Sequence, residues 1–244
     1  MKVAVLSDIH GNLRALDAVL ADAERRGIGR IVNLGDILSG PLDPAGTADR
    51  LMALGLETIR GNHERQLLEL PPERMGLSDA ATIDRLEPRH LEWLASLPET
   101  LWLEPDLYAC HGSRDSDLEY LLETVEPEGC RPAREVEITA RLAAIAAPMI
   151  LCGHTHLPRH VRLADGRQVV NPGSVGLPAY ADDHPFAHVM ETGTPHARYA
   201  VIERTAEGWT VERIAVAYDW HAAAADASAA GRDDWARALL TGRA

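Results

Sequence analysis

Cysteine is scarce in this chain of 244 residues: only Cys110, Cys130 and Cys152. They form no disulfide framework, and Cys110 and Cys152, set inside apolar runs, read as buried, reduced small residues. Long apolar runs are missing as well. The longest, Leu142 to Cys152, is too short to span a bilayer and is interrupted by Pro148. Lys and Phe are few, and positive charge is in deficit, with Lys+Arg 24 against Asp+Glu 37 and a formal charge of −13. That balance disfavours long polyanions such as duplex nucleic acid. No internal repeat or low-complexity linker stands out. A first strand starting at Lys2 leaves no signal peptide to expect, so a cytoplasmic protein without a membrane partner is predicted. The length suits one sizeable domain and is short for two.

What is present is an alternation of short apolar runs and amphipathic stretches. Lys2–Leu6 reads as a strand, Leu13–Arg26 as a helix, Arg30–Leu34 as a strand, Thr47–Leu54 as a helix and Glu57–Arg60 as a third strand. This order predicts an α/β fold with parallel pairing and right-handed crossovers. Leu101–Leu103 with Leu107–Cys110, Arg159–Leu163 with Gln168–Val170, and Tyr199–Glu203 with Thr210–Val216 read as strand pairs, and Met149–Cys152 as a further strand. The expected organisation is one domain over 1–216, with helical insertions at about 64–97 and 115–146, and a peripheral helical tail over 217–244. The tail could dock on a second copy, so a homo-oligomer is allowed.

Five motifs recur in fixed order: Asp8-Ile9-His10, Gly35-Asp36, Gly61-Asn62-His63-Glu64, His111-Gly112 and Gly153-His154-Thr155-His156. Singly, each has a plain reading: a solvated turn, a helix start capped by Asn62, a loop histidine. Together they place Asp8, His10, Asp36, Asn62, His111, His154 and His156 after apolar runs, where open α/β sheets gather their ligands. Carboxylate, amide oxygen and imidazole without thiolate suit two divalent ions such as Mn, Fe, Zn, Co or Ni.

This order resembles the calcineurin-like metallophosphoesterases, and Asn171-Pro172-Gly173-Ser174-Val175-Gly176 looks like a signature of their small bacterial YfcE-like group. The resemblance covers Lys2 to about Val216. It implies a four-layer α/β/β/α sandwich in which Asp8, His10 and His156 hold one metal, Asn62, His111 and His154 the other, and Asp36 bridges them. It further implies hydrolysis of small phosphodiesters or phosphomonoesters by a metal-bridging hydroxide, with His63 protonating the leaving group. Nucleotide or dinucleoside polyphosphate hydrolysis, protein phosphatase activity and a catalytically silent binding scaffold of the same fold are the alternatives. Protein phosphatases of the family carry Asp and Arg where this chain has Ser39 and Gly40, which tilts the expectation away from phosphoprotein substrates. Asp43 or a residue of the helical insertion would then orient His63. Arg60, Arg65 or Arg114 would clamp phosphate, unless they are surface charges.

Asn12 and Asn33 flank ligand motifs and are expected as hydrogen-bond partners of the ligands, Asn12 equally as a helix N-cap. Gly173 and Ser174 are expected in a tight loop near the metals. His90, His160, His184, His188, His196 and His221 are expected as surface or lid residues rather than ligands. Tyr120 and Tyr180 are the available stacking platforms, too few to single out nucleotides.

Overall fold

In the computed structural model, which describes residues 1–142 and 145–244, the chain begins with strand β1 (Lys2–Leu6), helix α1 (Leu13–Arg25), β2 (Ile31–Asn33), α2 (Pro44–Leu54) and β3 (Glu57–Thr58). Helices α3 (Asn62–Glu69), α4 (Leu77–Ile83) and α5 (Pro88–Ser96) follow, with a 3-10 turn at Pro72–Arg74 between the first two. Next come β4 (Thr100–Glu104), β5 (Leu107–Cys110), β6 (Glu123–Glu126), β7 (Gly129–Pro132), α6 (Glu135–Leu142) and β8 (Met149–Leu151). The chain continues through β9 (Arg159–Arg162), β10 (Gln168–Asn171), β11 (Ala179–Asp182), β12 (His188–Glu191), β13 (Ala197–Thr205) and β14 (Gly208–Val216), and ends in α7 (Trp220–Ala229) and α8 (Asp233–Thr241). Among the described residues no helix is long and apolar enough to cross a membrane.

Two five-stranded sheets form, in the orders β14-β13-β1-β2-β3 and β4-β5-β8-β10-β9. In each, three neighbouring strands run parallel: β1, β2 and β3 in the first, and β5, β8 and β10 in the second. Antiparallel partners flank them. Side chains alternate across β1. Val3 and Val5 join Leu107, Met149 and Leu151 of the second sheet in one apolar layer, while Ala4 and Leu6 meet Leu16 and Val19 of α1 on the other face. The outer face of the second sheet packs Tyr108, Ile150 and Val169 against Ile138 and Leu142 of α6. Burying a Val or Leu side chain in such layers contributes roughly 1.5–3 kcal/mol. Parallel strands such as β1 and β8 are therefore fixed from both faces, and every ligand motif follows one of the six parallel strands.

Three expectations are corrected. The stretch 115–146 is not helical throughout. It opens as the β6–β7 hairpin, turning at Pro127-Glu128, and only Glu135–Leu142 is helix. β-branched Thr124 and Val125, followed by Pro127 and Gly129, favour a hairpin over a helix. Positions 143 and 144, at the end of that expected helix, lie outside the described residues. The tail is helical as expected, in two helices, but it is not peripheral: Trp235 and Leu239 are buried against Leu42, Leu177 and Ala179. Between Leu177 and Ala197, where no strand was predicted, β11 and β12 pair antiparallel.

Candidate active site

The loops after β1, β2, β5 and β8, and the start of α3 after β3, carry the predicted ligands. Five of these residues adopt left-handed backbone: Asp8 (φ 55°), His10 (52°), Asp36 (54°), His154 (69°) and His156 (60°). For a residue with a Cβ this conformation costs about 1–2 kcal/mol. Such strain persists where surrounding structure over-determines it, and it concentrates at working sites.

Here the over-determination is visible. Glu64, wholly buried, accepts the N–H of Asp36, Ile37 and Gly61, each at 2.8 Å. The loops at Gly35 and Gly61 lie so close that a side chain on either would strike the other's backbone or Asp36. Asn171 donates to the Gly153 carbonyl (2.7 Å) and to Thr155 Oγ1 (3.0 Å), and Ser174 Oγ donates to the Asp8 carbonyl (2.7 Å). Gly173 has φ 82° and faces Arg198 and Pro158, so it shapes the turn rather than touching the ligands.

Two ligand groups result: Asp8, His10 and His156, and Asp36, His111 and His154. In the first, Nδ1 of His10 donates to the Ser39 carbonyl (2.8 Å) and Nδ1 of His156 to the Leu177 carbonyl (2.7 Å). A carbonyl only accepts, so both neutral rings present bare Nε2 atoms, which face each other at 3.0 Å. Burial disfavours the imidazolium, lowering His10 to about 4 and His156 well below its usual value. Asp8 Oδ1 lies 3.5 Å from His156 Nε2, and its Oδ2 is buried without a hydrogen-bond partner. Two lone pairs and an orphaned carboxylate oxygen converging in a buried space fit a divalent cation.

In the second group, Nδ1 of His111 donates to the Leu34 carbonyl (2.7 Å), and its Nε2 lies 3.2 Å from Asp36 and 3.1 Å from Asn62 Oδ1. Burial works against charge on His111, but Asp36 and Asp8 outweigh it and raise the ring to about 10. A proton thus stands where a cation would. Burial likewise opposes charge on Asp36, yet His111 and His63 keep it ionised well below the ordinary range. His154 donates through Nε2 to the Leu118 carbonyl (3.2 Å), which leaves the Nδ1 lone pair bare. Asp8 is pushed up to about 7, chiefly by burial.

His63, the first residue after Asn62, lines the cleft beside both groups, and its Nδ1 lies 2.7 Å from Asp79 of α4. Asp43, one expected source of this carboxylate, instead caps α2 by accepting the Gly46 N–H. Burial alone would lower His63, but Asp36 and then Asp79 reverse this and lift it to about 9.

The remaining expectations divide. Asn12 caps α1 and also donates to the Gly176 carbonyl. Asn33 is buried on β2, and its amide makes no hydrogen bond among the described residues. Arg60 pairs with Glu99, Arg65 forms a two-pronged pair with Asp117 (2.6 and 2.9 Å), and Arg114 pairs with Asp115; none of the three lines the cleft. His90 and His188 are buried rather than superficial. His90 lies 3.0 Å from Asp49, and His188 Nε2 lies 3.0 Å from the Tyr120 hydroxyl. Since His188 Nδ1 donates to the Phe186 carbonyl, Tyr120 donates to Nε2 and in turn accepts from Tyr180 (2.7 Å). The two tyrosine rings stand edgewise to His154 and His156, bracing these imidazoles, and both line the cleft.

Sequence reasoning missed Glu64 as a clamp and Trp235, and it left Asp79 unnamed, as an unspecified residue of the helical insertion. For Glu64 the signal was its place three residues after Gly61, the spacing of a helix-start capping box. Trp235 packs edge-on to His10, and a Cβ on Gly40 would lie 2.6 Å from its ring. The indole thus fills the space beside Gly40. His10, Asp36, Asn62, His63, His154 and His156, with Tyr120, Tyr180 and Trp235, wall a cleft of about 1060 Å³.

Residues 1–194 match the calcineurin-like phosphoesterase superfamily domain. The crystal structure of a metallophosphoesterase from Sphaerobacter thermophilus is similar, with a TM-score of 0.75 and 26% identity over 98% of this chain and 99% of that one. An uncharacterized protein of Methanocaldococcus jannaschii is 24% identical over 241 residues, covering 89% of this chain and 88% of its own. The phosphoesterase YfcE from E. coli aligns at a TM-score of 0.47 and 20% identity, over 89% of this chain and 100% of that one. With most of its length matched and its acceptor-rich ligand groups at the strand ends, the chain belongs to the calcineurin-like phosphoesterase superfamily.

Proposed function

We propose that the protein hydrolyses small phosphodiesters or phosphomonoesters at a centre of two divalent ions. Asp8, His10 and His156 would hold one ion, Asn62, His111 and His154 the other, with Asp36 between them. When bound, two such ions supply a water nucleophile active near neutral pH and draw charge from the phosphoryl oxygens. The chain's own part is positional and acid–base. The carbonyls of Ser39, Leu34 and Leu177 fix the tautomers of His10, His111 and His156, so that each directs Nε2 inward. His63, with Nδ1 held by Asp79, has Nε2 left to protonate the departing alkoxide.

The observation that carries this reading is the bare Nε2 pair of His10 and His156, 3.0 Å apart beside the partnerless Asp8 oxygen. The Trp235 ring against Gly40 also supports a small-molecule ester, since it fills space beside the position where protein phosphatases of the family carry arginine. The test is direct. Protein stripped with chelator and reloaded with Mn should bind two ions per chain by elemental analysis. It should then turn over bis(p-nitrophenyl) phosphate or p-nitrophenyl phosphate, and Asp36→Asn should lose both metals and activity. Loaded protein that hydrolyses neither compound would leave a binding scaffold as the better description.

A further inference from the structure

Resting on that functional reading, we infer that the cleft takes an ester carrying a second phosphate, held by Arg74 and Arg237 of its wall. The cleft, at about 1060 Å³, far exceeds what a single phosphoryl group fills and matches the upper range of sites for whole organic ligands, roughly 300–1,000 Å³. Besides the imidazoles its wall includes Leu70, Leu177 and Ala179, a lining for an organic body rather than for ions.

The chain has 23 arginines, and nearly all are engaged by carboxylates, hydroxyls or carbonyls. Among the described residues only the guanidinium groups of Arg74, Arg162 and Arg237 have neither a hydrogen bond nor an ion pair. Arg162 lies on β9, away from the cleft. Arg74 and Arg237 both line it. They come from different parts of the chain, the 3-10 turn Pro72–Arg74 and helix α8; Arg232, at the start of α8, donates to Ser78 Oγ of α4 (3.3 Å).

In a protein of charge −13, one cleft is thus lined by two guanidiniums that no carboxylate neutralises. Guanidinium matches phosphate by paired, charge-assisted hydrogen bonds. Neither arginine is tied to the ligand loops, so the group they recognise is a second anion, distinct from the one that is cleaved.

The experiment compares two substrates with the same scissile bond: thymidine 5′-(p-nitrophenyl phosphate) and its 3′-phosphorylated derivative, on Mn-loaded protein. The 3′-phosphate should raise kcat/KM by about tenfold, a change expected from one or two charge-assisted contacts. Arg74→Gln and Arg237→Gln should each shrink that ratio, and the double variant should bring it near one. Arg162→Gln should leave it as in the parent. A ratio near one in the parent protein, or a large ratio that survives in the double variant, overturns the proposal. If neither substrate is cleaved, hydrolysis is the reading that fails, and calorimetry decides the second site. Adenosine 3′,5′-bisphosphate should then bind about tenfold tighter than adenosine 5′-monophosphate in the parent and equally in the double variant; equal binding in the parent overturns it.

Discussion

Asp79 sits on a helix of seven residues, yet its carboxylate meets His63 Nδ1 at 2.7 Å with almost no solvent exposure. Bound cations oppose the pull of Asp36 on His63, which leaves Asp79 as the carboxylate that keeps the ring protonated. A general acid works in its protonated form, so its contribution is present below its pKa and lost as pH rises through it. Asp79→Asn keeps an acceptor for Nδ1–H but removes the charge. The basic limb of kcat/KM should therefore move to lower pH, with a loss of about tenfold or more at pH 8 on esters with poor leaving groups. Activated aryl esters should be nearly unaffected. An unmoved basic limb would show that His63 is not the acid. Glu64 offers a different residue-scale test. Its two oxygens serve three buried N–H groups, whereas glutamine brings one oxygen and an NH2 that opposes a donor. Glu64→Gln should cost about 1–3 kcal/mol per N–H left without an acceptor, read from denaturant unfolding, with weakened metal retention.

At the scale of elements, the tail helices define the cleft as much as the insertion does. Trp235 is 4% exposed, lies edge-on to His10 and packs with Leu42, Leu177 and Leu239. Trp235→Ala should lower stability by about 3–5 kcal/mol. It should also raise KM more than it changes kcat, because it removes wall and leaves the ligands in place; a pure kcat effect would contradict this. This is also where the sequence was least legible. The parallel strands could be read because each is a short apolar run ending in a motif. β6–β7 and β11–β12 could not, because they are four residues long, half polar and interrupted by proline, so neither period nor propensity marks them. The docking of Trp235 on Gly40, like the reach of Asp79 to His63, joins residues with no local relation in the chain. Nothing in the neighbourhood of either residue announces it. The ligand motifs were readable for the opposite reason, since each is written in consecutive residues.

For the whole molecule, the acidic balance and the buried histidines make metal a structural matter as well as a chemical one. At pH 7 the metal-free site keeps a proton on His111, raised to about 10, and a share of one on Asp8, raised to about 7. Cations require the bare nitrogen and the carboxylate, so loading should release at least one proton per chain. Metal affinity should rise as pH climbs from 7 towards 10 and weaken as pH falls through 7. Calorimetry in buffers of different ionisation enthalpy measures the release; a count of zero would contradict the protonation assigned to His111. Loading at a hundredfold excess over Kd should add about 2.7 kcal/mol of stability per site, seen as a higher Tm that chelator reverses.

The left-handed backbone at Asp8, His10, Asp36, His154 and His156 acts as a sieve on amino-acid identity. Asn, Asp and His tolerate that conformation better than other side chains, and β-branched residues least. At these five positions the fold admits oxygen and imidazole donors before any metal has a say. A drift towards bulkier or branched donors is closed off by main-chain geometry, whatever ions the surroundings provide.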